Sequence, residues 1–257
     1  MKTVYLISSL GMSPGVVTGV IDCLQYNDLE EGFNPTHLAI ITTDNPLTLQ
    51  SLKVIEHDVQ KFNSHIILKP YVIKGLSDIS TREDNYAVIR TFISAIKEGI
   101  KLKSDGEIDE IHVNIAGGRK TMSGLFTALS NLFPVDRLYH LITTNQMELR
   151  GHIKNFLNEN NELDLGRLDD QELKYNLHPK LINEYSVLVE IPILRGLELE
   201  ELIEINRKIT AGRNLTQSKI ITDLIKQGIL KRTGENRYSY TKKGLLIKDL
   251  IEYYLKS

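Results

Sequence analysis

The stretch Val4-Tyr5-Leu6-Ile7-Ser8-Ser9-Leu10-Gly11-Met12-Ser13-Pro14-Gly15-Val16 decides how the rest of the chain is read. Its apolar start, rich in β-forming side chains, predicts a buried strand over Val4–Ser8. Small residues then allow a tight turn, Pro14 stands where a helix begins, and Val16–Tyr26 continues with helical spacing. A secretory signal is the competing reading of such a start. Gly11, Pro14 and Gly15 interrupt the apolar run, Asp22 follows soon after, and no A-x-A cleavage pattern is present, so the strand is preferred.

The same unit recurs downstream. β-rich runs at Leu38–Thr43, Ile66–Ile73, Ile111–Ile115 and Leu138–Thr143 alternate with helical patterns at Pro46–Phe62, Asp84–Lys103 and Thr121–Phe133. Leu47, Leu49, Leu52, Ile55 and Val59 illustrate the apolar stripe. Strands joined by crossover helices form a parallel sheet covered on both faces, so the expected class is α/β with a Rossmann-like parallel sheet. Residues 144–185 are more polar, with Asn158-Glu159-Asn160-Asn161 and Asp169-Asp170. They read either as an insertion with a lid-like role or as a plain surface loop. A further β run at Val187–Leu194 carries Pro192, which suits an edge strand or strand end.

Charge divides the chain. Its 257 residues hold 31 Lys and Arg against 33 Asp and Glu, which argues against uniform basic coating for nucleic acid or an anionic membrane. Residues 195–257, however, hold 13 basic and 8 acidic residues. Their pattern is helical around Leu199, Leu202, Ile203, Ile205 and Ile209. A second helix over Gln217–Gln227 follows, with Thr216 as its cap and Gly228 as its end. A hairpin over Ile229–Thr241 has Arg232, Gly234 and Asn236 at its turn and Tyr238 and Tyr240 alternating beyond it, and a last helix starts near Gly244. This is the plan of a winged helix-turn-helix without a clear first helix. The expected domains are therefore 1–194 and 195–257. The single Cys23 leaves no internal disulfide and fits a reducing, cytoplasmic setting. No apolar run approaches the roughly 18 residues of a membrane span, so a soluble protein without membrane contact is expected.

Two βα loops hold the candidate chemistry. In the first, Ser13 stands at or beside a helix N-cap, where backbone N–H groups and the positive helix end suit an anion. The alternative is that Ser13 only caps the helix. In the second, Asn114-Ile115-Ala116-Gly117-Gly118-Arg119-Lys120-Thr121-Met122-Ser123, two glycines permit a sharp turn. Arg119 and Lys120 follow at a helix start that is already positive, a cost that a bound polyanion offsets; solvated surface charge is the plainer reading. In an open α/β sheet both loops lie at the carboxyl edge of the strands, so Ser13 and Lys120 are expected to face one site. His57, His65, His112 and His140 form no metal-ligand pattern, Arg137–His140 and Arg150–His152 lack nuclease spacing, and no carboxylate cluster fits a two-metal nuclease.

The pairing of Leu10-Gly11-Met12-Ser13-Pro14 with the Gly117-Gly118-Arg119-Lys120-Thr121-Met122-Ser123 stretch resembles the CRISPR-associated Rossmann-fold (CARF) family. It is most similar to stand-alone ring nucleases with a C-terminal winged helix that degrade cyclic tetra-adenylate. The resemblance implies a homodimer whose ligand loops meet on a two-fold axis around a cyclic oligoadenylate. It implies binding by Gly11, Met12, Ser13, Pro14, Gly117, Gly118, Arg119, Lys120 and Thr121, with Ser13, Arg119 and Lys120 also catalytic. It further implies a later catalytic lysine, assigned to Lys180 with Lys174 as runner-up. No cofactor and no metal are expected, and DNA is a possible partner of the C-terminal domain through Lys219, Lys226, Arg232 and Arg237.

Overall fold

The computed structural model describes the chain except residues 27–31, 184, 192, 194–198, 217, 227–228 and 257, and the side chains of residues 223, 226, 242, 243 and 246. Two compact units emerge: Met1–Ser130 with Pro134–Ile193, and Asn131–Phe133 with Leu194–Ser257.

The first unit is built on strands β1 (Lys2–Ser9), β2 (Phe33–Thr43), β3 (Ile67–Ile73), β4 (Glu110–Asn114) and β5 (Arg137–Thr143). They alternate with helices α1 (Pro14–Gln25), α2 (Pro46–Phe62), α3 (Arg82–Ser104) and α4 (Lys120–Ser130). The strand order is β3-β2-β1-β4-β5-β6, where β6 is Ser186–Ile191. The pairs β1–β2, β1–β4, β2–β3 and β4–β5 are parallel. β6 departs from the all-parallel expectation, because it runs antiparallel to β5 at the edge. No long crossover returns the chain to the opposite end of the sheet before it. Pro192 and Leu194, at the end of the expected strand, lie outside the described residues.

β1 is buried on both faces from Val4 onward, as a central parallel strand must be. Val4 and Leu6 join Val17, Val20, Ile21 and Leu24 of α1 and Leu52, Ile55 and Val59 of α2 in one cluster. On the other face Tyr5 lies against Gly99 of α3, and the rings of Phe92 and Phe126 meet at 4.6 Å.

The polar segment 144–185 is neither a plain loop nor a loose cover. It forms α5 (Asn145–Arg150), 3₁₀ turns at Ile153–Phe156 and Leu165–Arg167, and α6 (Asp170–Leu177). Ile153, Phe156, Leu157, Leu173 and Leu177 bury themselves with Val54 of α2; the polar residues between them hid this spacing. His178 pins the segment down. Its Nδ1 lies 2.7 Å from Asp22 Oδ1 and its Nε2 2.7 Å from Asp58 Oδ1, all three buried. Burial opposes the imidazolium, but the two carboxylates outweigh it and push His178 up to about 10. Burial also raises Asp22, against the pull of His178.

The second unit comprises α7 (Leu199–Thr210), α8 (Lys219–Lys226), β7 (Leu230–Gly234), β8 (Arg237–Tyr240) and α9 (Lys242–Lys256). Leu202, Ile205, Leu215, Ile221, Leu224, Ile229, Leu230, Tyr238 and Ile251 form its core. β7 and β8 pair antiparallel with Asn236 at positive φ in the turn. α8 starts later than expected: Ser218 Oγ accepts from Ile221 N at 3.3 Å, so Ser218 rather than Thr216 caps it. Gly228, the expected helix end, lies outside the described residues. Among the described residues no helix is long and apolar enough to cross a membrane, and no group of three or more His, Cys, Asp or Glu could hold a metal ion.

The turn after β4 depends on two glycines. A Cβ on Gly117 would collide with the carbonyl oxygen of Ser9, and Gly118 has φ 77° with Ser9 Cβ 3.0 Å from where its own Cβ would stand. Gly117→Ala is expected to cost about 1–3 kcal/mol in denaturant unfolding. Gly124→Ala, at an exposed position of α4 with open space around it, is expected to add about 0.5–1 kcal/mol. His178→Ala leaves two buried carboxylates facing each other and is expected to cost about 3–5 kcal/mol. Because the folded pKa stands above the ordinary histidine value of 6.5, His178 stabilises fully below that pH. Its contribution falls away as pH rises through about 10. Unfolding titrations from pH 6 to 10.5 should show that decline in the native chain, and should lose this contribution in His178→Ala.

Candidate functional site

β1 has β2 on one side and β4 on the other, so the chain reverses its direction of winding between β1 and β4. The loops leaving these two strands flank the crevice where ligands of doubly wound sheets bind. The structure brings them into contact: a Cβ on Gly11 would stand 3.2 Å from Gly118 Cα. Ser9 Oγ donates to Gly117 O at 2.5 Å. Asn114 staples the same edge, its Nδ2 donating to Ser8 Oγ at 2.8 Å and its Oδ1 accepting from Ala116 N at 2.9 Å. Ser13 and Lys120 each stand two residues beyond the Gly11–Gly118 contact.

Ser13 is the N-cap of α1, and its side chain makes no capping bond. The helix end itself is less open than expected. Pro14 has no N–H, Gly15 N donates to Gly151 O at 3.2 Å and Val16 N to Ser13 O at 3.2 Å. An anion beside Ser13 therefore meets its hydroxyl more readily than a ring of free backbone donors. Met12 is exposed and its carbonyl accepts from Ile153 N at 2.7 Å, while Pro14 is buried.

On the second loop Ser123 Oγ donates to Ile115 O at 2.7 Å and holds the first turn of α4. Arg119, Lys120 and Thr121 are exposed there. Arg119 is engaged by Asp78, its Nε donating to Oδ1 at 2.6 Å and its Nη2 to Oδ2. Hydrogen bonding from Arg119 in turn holds the Asp78 carboxyl below its ordinary value. Lys120 has no hydrogen bond or ion pair among the described residues. A strongly hydrated cation thus stands without a partner beside a cation whose partner is exposed.

The later lysines are placed elsewhere. The backbone N–H of Lys180 bears on the Asp22 carboxylate, nine residues along α1 from Ser13, which at 1.5 Å per residue is about 13 Å. Lys174 Nζ lies 5.0 Å from the centre of the Phe62 ring, at the end of α2. Neither is brought to the two loops.

The segment that does reach the first loop is Gly151–Ile153. Gly151 O and Ile153 N bond to Gly15 and Met12, so His152 between them is held against the Met12–Gly15 turn. Its Nδ1 accepts from Lys154 N at 3.2 Å. Burial, then the nearby Lys154 charge, lowers its pKa. Arg150 beside it donates to Tyr175 Oη at 2.8 Å and stacks on that ring at 4.1 Å. No residue type or spacing in Arg150-Gly151-His152 marks this approach; the signal is three-dimensional.

No curated protein matches the sequence. Among solved structures the chain is similar to Enterococcus italicus Csm6 bound to cyclic hexa-2'-fluoro-hexa-dAMP, at 14% identity and TM-score 0.49, over 82% of this chain and 47% of that one. It is also similar to VC1899 from Vibrio cholerae, at 11% identity and TM-score 0.34, over 98% of this chain and 66% of that one. The chain thus spans about half the length of the Csm6 chain. The model of the CRISPR-associated protein NE0113 family matches residues 13–226. That match begins at Ser13, covers the second loop and runs well into the second unit, and the chain belongs to the CRISPR-associated NE0113 family.

Proposed function

We propose that the Rossmann-like unit is a CARF-type sensor and that the chain is a ring nuclease: it binds cyclic tetra-adenylate and cleaves it to linear di-adenylate ending in a 2′,3′-cyclic phosphate. The observation that carries the reading is the contact of the Gly11 and Gly118 loops at the β1–β4 crevice. That contact joins the two loops, one ending in Ser13, whose side chain makes no capping bond, and the other in Arg119 and Lys120, the latter without a partner among the described residues. Membership of a CRISPR-associated family supports an oligoadenylate messenger as the polyanion.

The chemistry asks little of the protein. An adenosine 2′-OH attacks its own 3′-phosphate in line and gives up its proton. The bond from phosphorus to the neighbouring 5′ oxygen breaks, and that oxygen is protonated. The nucleophile belongs to the substrate, so the chain supplies orientation and charge. Ser13 positions the ribose-phosphate, Arg119 and Lys120 neutralise the charge gathered on the phosphorane, and no metal is needed for this step. Two copies related by a two-fold axis would match the symmetry of the cyclic substrate. With no general base in either loop motif, turnover is slow, which suits the ending of an antiviral signal.

A second reading has its own observation. The hairpin of the second unit exposes Arg232 and Arg237, and residues 195–257 carry 13 basic against 8 acidic residues. A winged helix with such a tip would make the protein an oligoadenylate-responsive transcription regulator that binds DNA.

Incubation of the purified chain with cyclic tetra-adenylate in EDTA separates the two. The ring nuclease yields di-adenylate with a cyclic phosphate; Lys120→Ala is expected to slow it about 100-fold, and Ser13→Ala is also expected to reduce it. Undiminished cleavage by both variants would remove the mechanism. Intact, tightly bound ligand together with salt-sensitive DNA binding would establish the regulator instead.

A further inference from the structure

The β3–α3 connection is anchored at both ends. Gly75 N donates to Asp44 Oδ2 at 2.5 Å and Asp44 N to Leu76 O at 3.0 Å, tying its start to the end of β2. Ser80 N and Thr81 N donate to Asp84 Oδ2 at 2.9 and 2.7 Å, tying its finish to the first turn of α3. Between these anchors stands Asp78, which meets Arg119 of the loop that follows β4. Its Oδ1 accepts from Ile79 N at 2.7 Å as well as from Arg119 Nε at 2.6 Å, while Oδ2 takes the second guanidinium donor. Both side chains remain about half exposed.

Most exposed ion pairs are two long side chains meeting by chance, and they contribute little. This one differs in two respects. Asp78 is short, its backbone neighbours are fixed, and one of its oxygens is already oriented by Ile79 N. The pairing is also two-pronged, and a carboxylate edge offers Arg119 the same pair of oxygens that a phosphate would. An anion that takes the Nε–Nη2 edge of Arg119 must therefore replace Asp78, whereas one bound at Lys120 alone need not.

We propose that Asp78 is a specificity-determining residue of the candidate site: a built-in competitor that occupies the Arg119 fork until a phosphodiester held by the rest of the site displaces it. This rests on the reading of Arg119 as a phosphate ligand. An isolated phosphate or mononucleotide meets the competition with no other contacts to offset it. A cyclic oligonucleotide, held at Ser13 and Lys120 as well, brings a phosphate to Arg119 at high effective concentration and wins. Asp78 thus filters out small anions and leaves the fork to a polyphosphodiester.

The test uses the full chain, Asp78→Asn, and Glu83→Gln as a control that removes a nearby exposed charge with no bond to Arg119. Binding of cyclic tetra-adenylate with 2′-fluoro groups, which cannot be cleaved by 2′-oxygen attack, is measured at fixed ionic strength. In parallel, phenylglyoxal labelling of Arg119 is followed by peptide mapping, with and without inorganic phosphate. Asp78→Asn is expected to bind the cyclic ligand about two- to fivefold tighter. It should also label faster at Arg119, with phosphate protecting that residue at lower concentration. Glu83→Gln should change none of these by as much. In an Arg119→Ala background the gain from Asp78→Asn should vanish. Unchanged labelling and affinity, weaker binding in Asp78→Asn, or a gain that persists without Arg119 would each overturn the proposal. If the native chain binds no cyclic tetra-adenylate, the functional reading falls, and the phosphate-protection arm alone then decides the role of Asp78.

Discussion

At the end of β1 the backbones of Ser9 and Gly117 stand so close that no side chain fits between them, and Ser9 Oγ bonds to Gly117 O. The geometry of the candidate site follows from this contact. β1 and β4 are neighbours in a parallel ladder that ends at Ser8 and Asn114, so both chains must turn away at the same height. One turns into α1 and the other into α4. With bulky residues at these turns the loops would be driven apart, and the two cations of the second loop would stand over their own helix alone. The paired glycines let the turns nest, and Asn114 ties one to the other through Ser8.

Two kinds of ion pairing serve two purposes in the same unit. His178 lies between Asp22 and Asp58 with almost no solvent, where desolvation is costly and only mutual compensation makes the charges tolerable. That arrangement holds the segment after β5 onto α1 and α2, and so carries Gly151–Ile153 to the first loop. Arg119 and Asp78 meet instead at the surface, both about half exposed, where the pair is open to exchange. The buried pairing is architecture; the exposed one is suited to trading a carboxylate for a ligand's phosphate.

The alternation of strand and helix was legible because burial imposes period two or continuous apolarity on strands and period 3.6 on helices. All five strands and four helices expected before residue 144 are present, displaced by a few residues at their ends. The two loops were legible through Pro14 and the Gly117-Gly118 pair, whose backbone demands are local. Reading failed where polar residues covered a folded segment: from Asn158 to Asp170 the composition is that of a loop, yet Leu163, Leu165 and Leu168 pack against a buried cluster. The lysines left no local signal either. Nothing local distinguishes Lys180 from any other surface lysine, and its place beside Asp22 is set by the route of the chain after α6.

The sequence by itself determined the α/β class, the crossover order of strands and helices, and the identity of the two loops at the carboxyl edge, because each depends on neighbours within one or two turns. Tertiary structure alone decided that β6 runs antiparallel, that Asp78 reaches Arg119 across 41 residues, and that His178 bridges to Asp22 and Asp58 across 156 and 120. It also decided that His152 lies against the Met12–Gly15 turn. Such pairings are chosen by the packing of whole elements and leave no periodic mark on the chain.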